Sequence, residues 1–196
     1  MHIFTAFWGL GLLMLLTGCS ILPRSPSPPI ALHDFGSGGQ AVDSPAAWST
    51  VTVEAPEWLK DEHIRYRLMH DDPTRIRFYS RDRWLAAPPS LLAHRLSLAS
   101  GGGRYRLKIA LLELEQVFAQ SQNTRVVLSF RATADLPEPG TIAVERVFRF
   151  DRTTPSADAA GAVSAFAGVI EEATRALTAW SAELPEYTGS SQPEKK

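Results

Sequence analysis

Few side chains in this sequence could carry chemistry. Cys19 is the only thiol. Thr17 and Gly18 precede it, small enough for an extended backbone to enter a protease cleft. A thiol at a newly made N-terminus is also a nucleophile. Histidine occurs five times. His33-Asp34 and His70-Asp71-Asp72 set imidazole beside carboxylate and could hold a metal if folding brought them together. Their spacing matches no standard site, so exposed turn residues are the other reading. No G-x-S-x-G elbow, H-E-x-x-H pair or phosphate-binding glycine loop occurs. Ser164 of the Gly161–Ser164 run falls inside a helical pattern and cannot form an elbow.

The elements around Cys19 explain what its thiol is for. Residues 3–16 are uncharged and almost wholly apolar. They are too few for a bilayer span, which takes about 20 residues, and they fit the apolar core of a secretory signal peptide. Leu16-Thr17-Gly18-Cys19 follows directly and looks like a lipobox, the recognition site of lipoprotein signal peptidase. The expectation is cleavage before Cys19, with diacylglycerol and fatty acyl chains attached to it. The competing reading is a buried cysteine in an ordinary N-terminal helix. One departure is an n-region without Lys or Arg, where basic residues are usual. By resemblance to Gram-negative lipoproteins, Ser20 in place of an aspartate favours the periplasmic face of the outer membrane. With its one cysteine lipidated, the mature chain has no disulfide available.

Pro23 to Pro29 (PRSPSPP) is expected to run as a stiff polyproline II spacer of roughly 20 Å. The expected boundaries are a signal peptide at 1–18, the lipidated cysteine and linker at 19–29, one domain at 30–184, and a disordered tail at 185–196. Net charge is −1, with 44% hydrophobic and 21% charged residues. That composition supports a packed core and argues against a general affinity for nucleic acid.

Within the domain, patterning predicts strands at 30–35, 50–55, 64–68, 75–78, 105–118, 124–133 and 142–150. Asp71-Asp72-Pro73 turns the third into the fourth, and Pro137-Glu138-Pro139-Gly140 makes a later turn. Along 105–118 the apolar phase shifts. Leu107, Ile109 and Leu111 fall on one face and Leu112, Leu114 and Phe118 on the other, which means a bulge or cover on both faces. A first helix follows Pro88-Pro89 and is expected to end at Gly101-Gly102-Gly103. A second is capped by Thr154, with Pro155 in its first turn, and Val163, Phe166, Ala167, Ile170, Ala173, Leu177 and Trp180 follow its helical spacing. The fold class is α/β in the α+β sense: one compact domain with a mixed, mostly antiparallel sheet and two helices.

Arg65, Arg67, Arg75, Arg77, Arg81 and Arg83 crowd the predicted hairpin, alternating with apolar residues. They form either a docking patch for anionic headgroups or an acidic partner, or a solvated face balanced by Asp61, Glu62, Asp71, Asp72 and Asp82. Trp58 and Trp84 flank the same hairpin. They serve either an interface or the packing of helix on sheet.

Taken in order, several segments resemble the ABC-type transport auxiliary lipoproteins of the PqiC/YmbA type. They are Leu16-Thr17-Gly18-Cys19, VTVEAPEWL (51–59) with Ile64 to Leu68, YSRDRWLAAPPSLLAHRL (79–96), LLELEQVF (111–118), VVLSFRA (126–132) and the Ala-rich last helix ending near Trp180. LHDFG and the Gly-rich stretch after it depart from the pattern. The resemblance implies a non-catalytic accessory of an MCE-domain protein and an inner-membrane ABC transporter that move phospholipid or another hydrophobic molecule between membranes. It implies no catalytic residue, metal or cofactor beyond the lipid on Cys19. A ring-shaped MCE partner would accommodate several copies or a homo-oligomer. The alternative function is a structural lipoprotein aiding outer-membrane or cell-wall assembly.

Overall fold

In the computed structural model, residues 29–36, 46–136 and 143–185 are described. Seven strands and two helices follow in order: β1 (Ala31–His33), β2 (Ala46–Glu54), a 3-10 turn (Glu57–Leu59), β3 (His63–Leu68), β4 (Asp72–Trp84), α1 (Pro88–Leu98), β5 (Ser100–Phe118), β6 (Thr124–Asp135), β7 (Val144–Thr153) and α2 (Ala159–Ala182). The sheet runs β1-β4-β3-β5-β6-β7, with β2 also paired to β5. At 19 residues, β5 is long enough to take two parallel partners. β2 runs beside residues 100–110 and β3 beside 116–118. The longest ladders, β5–β6 and β6–β7, are antiparallel, as is the β3–β4 hairpin. The outcome is the expected α+β domain with a mixed, mostly antiparallel sheet.

The phase shift in β5 is a bulge. Leu111 pairs with Phe130 and Glu113 with Ser129, leaving Leu112 unpaired between them. One extra residue reverses the alternation. Leu107, Ile109, Leu111, Leu114, Gln116 and Phe118 therefore all stand opposite even-numbered residues of β6, on one face. Leu112 itself is 41% exposed. The bulge lets one long strand keep a continuous apolar side toward the helices.

The helices lie against that face. α1 packs on β2, and α2 on β2, β6 and β7. Phe166, Val169, Ile170, Ala173, Leu177 and Trp180 of α2 are buried against Leu128, Phe130 and Phe148. Trp48 is 1% exposed, and its indole N–H donates to the Leu96 carbonyl at 3.3 Å, joining β2 to α1.

Two helix ends differ from the sequence reading. Gly101 to Gly103 open β5; they do not close α1, which ends at Leu98 with Ala99 as its cap. A Cβ on Gly103 would sit 2.0 Å from the Ala47 backbone, so glycine is needed where β2 crosses closely. At α2 the cap is Asp158, whose carboxylate accepts the Gly161 N–H at 2.8 Å. Thr154 is buried instead, and its hydroxyl donates to Ser156 O at 2.8 Å. The Pro137–Gly140 turn lies outside the described residues.

Candidate docking surfaces

Cys19, the segment before it, the spacer as far as Pro28 and residues 186–196 lie outside the described residues. Among the six candidate interface positions, Trp84 is corrected by the fold. It is 1% exposed and closes β4 against the core. Its ring meets Phe35 edge-on at 5.0 Å and Phe166 at 5.6 Å. Trp58, in the 3-10 turn, is half exposed while its neighbour Leu59 is fully buried. That turn anchors through Leu59 and leaves the indole of Trp58 toward solvent.

The arginines do not form one face. Within the hairpin, Arg65 stands opposite Phe78 and Arg67 opposite Ile76, while Arg77 stands opposite Tyr66. Cross-strand partners share a face. Arg65 and Arg67 therefore share theirs with Ile76 and Phe78, and Arg75 and Arg77 lie on the other. The Arg65 guanidinium sits 5.6 Å from the Phe78 ring centroid. Irregular register between His63 and Arg65, and again between Arg67 and Leu68, brings the strands together out of phase.

Each of these cations also has a local carboxylate. Arg65, nearly buried, pairs with Asp61 at 2.7 Å. Arg67 meets Glu115 with two of its three guanidinium nitrogens, at 2.9 and 3.1 Å. Glu115 is 6% exposed, and its hydrogen bond holds the Arg67 guanidinium above its ordinary pKa. Arg77 pairs with Asp71 at 2.5 Å. Arg75 is exposed and lies close enough to Asp72 to help lower that carboxyl, whose main stabiliser is the Thr74 hydroxyl. Farther along the sheet Arg149 pairs with Glu113. For Arg65, Arg67, Arg75 and Arg77 the balanced-face reading fits: their charge is met within the chain.

A different surface forms at the β1 margin. A groove of about 350 Å³ is lined by Leu32, His33, Asp34, Gly36, Leu85, Val163, Ser164 and Ala167. β1 runs parallel to the end of β4, with Ala31 opposite Asp82 and His33 opposite Trp84. Leu85 N–H continues that ladder to His33 O at 2.7 Å. His33 Nε2 lies 2.9 Å from Asp82 Oδ1. Asp34 accepts the Gly36 N–H at 2.8 Å, where φ is +76°. Ile30, Leu32 and Leu85 are 57%, 59% and 55% exposed. The sequence analysis singled out His33-Asp34 here but not the leucines. A parallel pairing between segments about 50 residues apart leaves no local signal.

The two histidine–aspartate clusters do not meet. His33-Asp34 sits by the Trp84 end of β4, while His70-Asp71-Asp72 lies at its Asp72 start. Among the described residues no three His, Cys, Asp or Glu are placed to hold a metal. Between the two clusters along β4, Tyr79 donates to Gln116 Oε1 at 2.5 Å, and burial pushes its phenol pKa up. Among the described residues no helix is long and apolar enough to cross a membrane.

No family model matches this sequence, and no curated protein matches it. Solved structures do share the fold. A Xanthomonas campestris protein of the family DUF330 superposes with a TM-score of 0.59 at 17% identity, covering 78% of this chain and 91% of its own. An uncharacterised protein superposes at 0.62 with 11% identity, over 78% of this chain and 99% of its own.

Proposed function

We propose that this protein is a membrane-anchored accessory lipoprotein of an MCE/ABC-type system that moves lipid or other hydrophobic molecules between membranes. It is a non-catalytic docking or receiving component, held by lipid on Cys19 at the periplasmic face of the outer membrane. The observation that carries the reading is the ordered series of segments, from Leu16-Thr17-Gly18-Cys19 to Trp180, that resembles the auxiliary lipoproteins. The fold shared with a DUF330 protein over 78% of the chain supports it at the level of architecture.

Partner capture tests the proposal. The tagged protein is extracted with mild detergent from its native membranes, with Cys19→Ala as control. Recovery of an MCE protein with its ABC subunits, lost in the control, is the expected result. Recovery of barrel or cell-wall proteins alone, with the ABC subunits present in the lysate, sinks it and favours the structural lipoprotein.

A further inference from the structure

We infer that the β1 margin is a second membrane contact: Ile30, Leu32 and Leu85 insert into the lipid surface to which the chain is tethered, with Arg81 meeting anionic headgroups. The inference rests on the anchoring reading proposed above and goes beyond it, because it assigns the orientation of the folded domain.

Position is the first argument. β1 is the first described strand, and Ile30 is eleven residues from Cys19. At no more than about 3.6 Å per residue, the tether cannot exceed roughly 40 Å. The chain thus enters the fold from the lipid directly at this corner.

Composition is the second. Large aliphatic side chains exposed by more than half are costly in water, and here three adjoin. Leu32 stands in β1 with Ile30 just before the strand, and the Leu85 N–H bonds to His33 at the end of the same ladder. The other strongly exposed apolar residues do not cluster with these three: Leu98 ends α1, Val147 is on β7, Trp58 is in the 3-10 turn, Met69 is in the β3–β4 turn, and Phe78 stands opposite Arg65 farther back along β4. The β1–β4 ladder, with Ala31 opposite Asp82 and Leu32 opposite Arg83, begins one residue after Ile30 and one residue after Arg81, so both lie at the same end of it. Arg81 is exposed and has no ion pair among the described residues, unlike Arg65, Arg67 and Arg77. Aliphatic side chains beside an unpaired cation, next to a lipid tether, are the chemistry of an interfacial anchor. The Leu32–Leu85 groove along Val163 and Ala167 gives that surface relief without enclosing it.

The test uses the full lipidated protein in vesicles of phosphatidylethanolamine and phosphatidylglycerol doped with a brominated-chain phosphatidylcholine. Since Cys19 is the sole natural cysteine and is blocked by lipid, single Leu32→Cys, Leu85→Cys, Leu98→Cys and Val147→Cys variants take one fluorescent thiol label each. Thermal melts confirm that each variant is folded. The expected result is at least twofold stronger bromolipid quenching at positions 32 and 85 than at 98 and 147, abolished for the position 85 label by Leu32→Asp with Ile30→Asp. Equal quenching at all four positions overturns the inference while leaving the anchor intact. Labels at 32 and 85 shielded from aqueous iodide yet untouched by bromolipid also overturn it, because a protein then covers the margin. Failure of the protein to float with vesicles at all removes the anchor, and the inference with it.

Discussion

The two ends of β4 carry opposite kinds of surface. At the Asp72 end, Asp71 neutralises Arg77, Asp72 takes the Thr74 hydroxyl and amide, and Arg67 donates to Pro73 O on its way to Glu115. Polar groups there satisfy one another within a few residues. At the other end Trp84 turns into the core, while Leu85, one residue later, is left more than half exposed beside Leu32. Surface charge in itself is therefore a poor guide to a docking site in this molecule. A cation already closed by a carboxylate has little to offer a partner, whereas an aliphatic group left in water gains from any cover.

The comparison can be broken most forcefully at Trp84. Trp84→Ala removes a ring held between Phe35 and Phe166 and should cost about 3–5 kcal/mol in denaturant unfolding. A loss below about 1 kcal/mol would mean that this end of β4 is not core. Next comes Glu115→Ala, which strands the Arg67 guanidinium at a site only 22% exposed. The expected loss is about 2 kcal/mol, short of the 3–5 of a fully buried pair because Arg67 still reaches solvent. A double-mutant cycle with Arg67→Ala should recover most of it, and additive losses would contradict the pairing.

Smaller effects sharpen the contrast. Asp158→Ala removes the cap of α2 and should lower stability by about 1 kcal/mol. Arg77→Ala removes a pair whose carboxylate partner, Asp71, is more than half exposed, and should change stability by no more than about 0.5 kcal/mol. A larger change would show that the Asp72 end is structurally as critical as the Trp84 end. The smallest effect is one of pH. The Thr74 hydrogen bonds hold the Asp72 carboxyl below its ordinary value, near 3.9. A carboxyl depressed in the folded state stabilises above the unfolded pKa and loses that contribution as pH falls through the folded one. Carboxyl NMR should place the Asp72 midpoint under the ordinary value in the protein and return it upward in Thr74→Ala. A midpoint unmoved by Thr74→Ala removes that hydroxyl as the cause.

Alternation along a strand reports which of its residues share a face, and so the α+β class, the strands and the α2 stripe were legible. So was the β5 irregularity, because the aliphatic run changed phase at Leu112. What alternation does not report is how neighbouring strands align. Arg65/Arg67 and Arg75/Arg77 looked equivalent, yet the register sets Arg65 and Arg67 opposite Phe78 and Ile76, and Arg77 opposite Tyr66. The two tryptophans were indistinguishable for a related reason. Both stand near Leu and Pro, but one closes a 13-residue strand against the core and the other sits in a 3-10 turn. Gly101 to Gly103 misled because glycine suits a helix end and a close strand crossing equally. Thr154 was set aside as cap by Asp158, four residues on, whose carboxylate reaches the Gly161 amide. The β1 margin depended on a three-residue strand joining β4 across the sequence, a pairing with no local pattern.

Anchoring at Cys19 underlies both the proposed function and the orientation inferred for the domain. Mass spectrometry of the N-terminal peptide from the membrane-bound protein tests it most directly. The account predicts a chain that begins at Cys19 and carries diacylglycerol and fatty acyl mass, shifted to an unlipidated, uncleaved form in Cys19→Ala. A membrane fraction in which Cys19 is a free thiol within an uncut chain would contradict it.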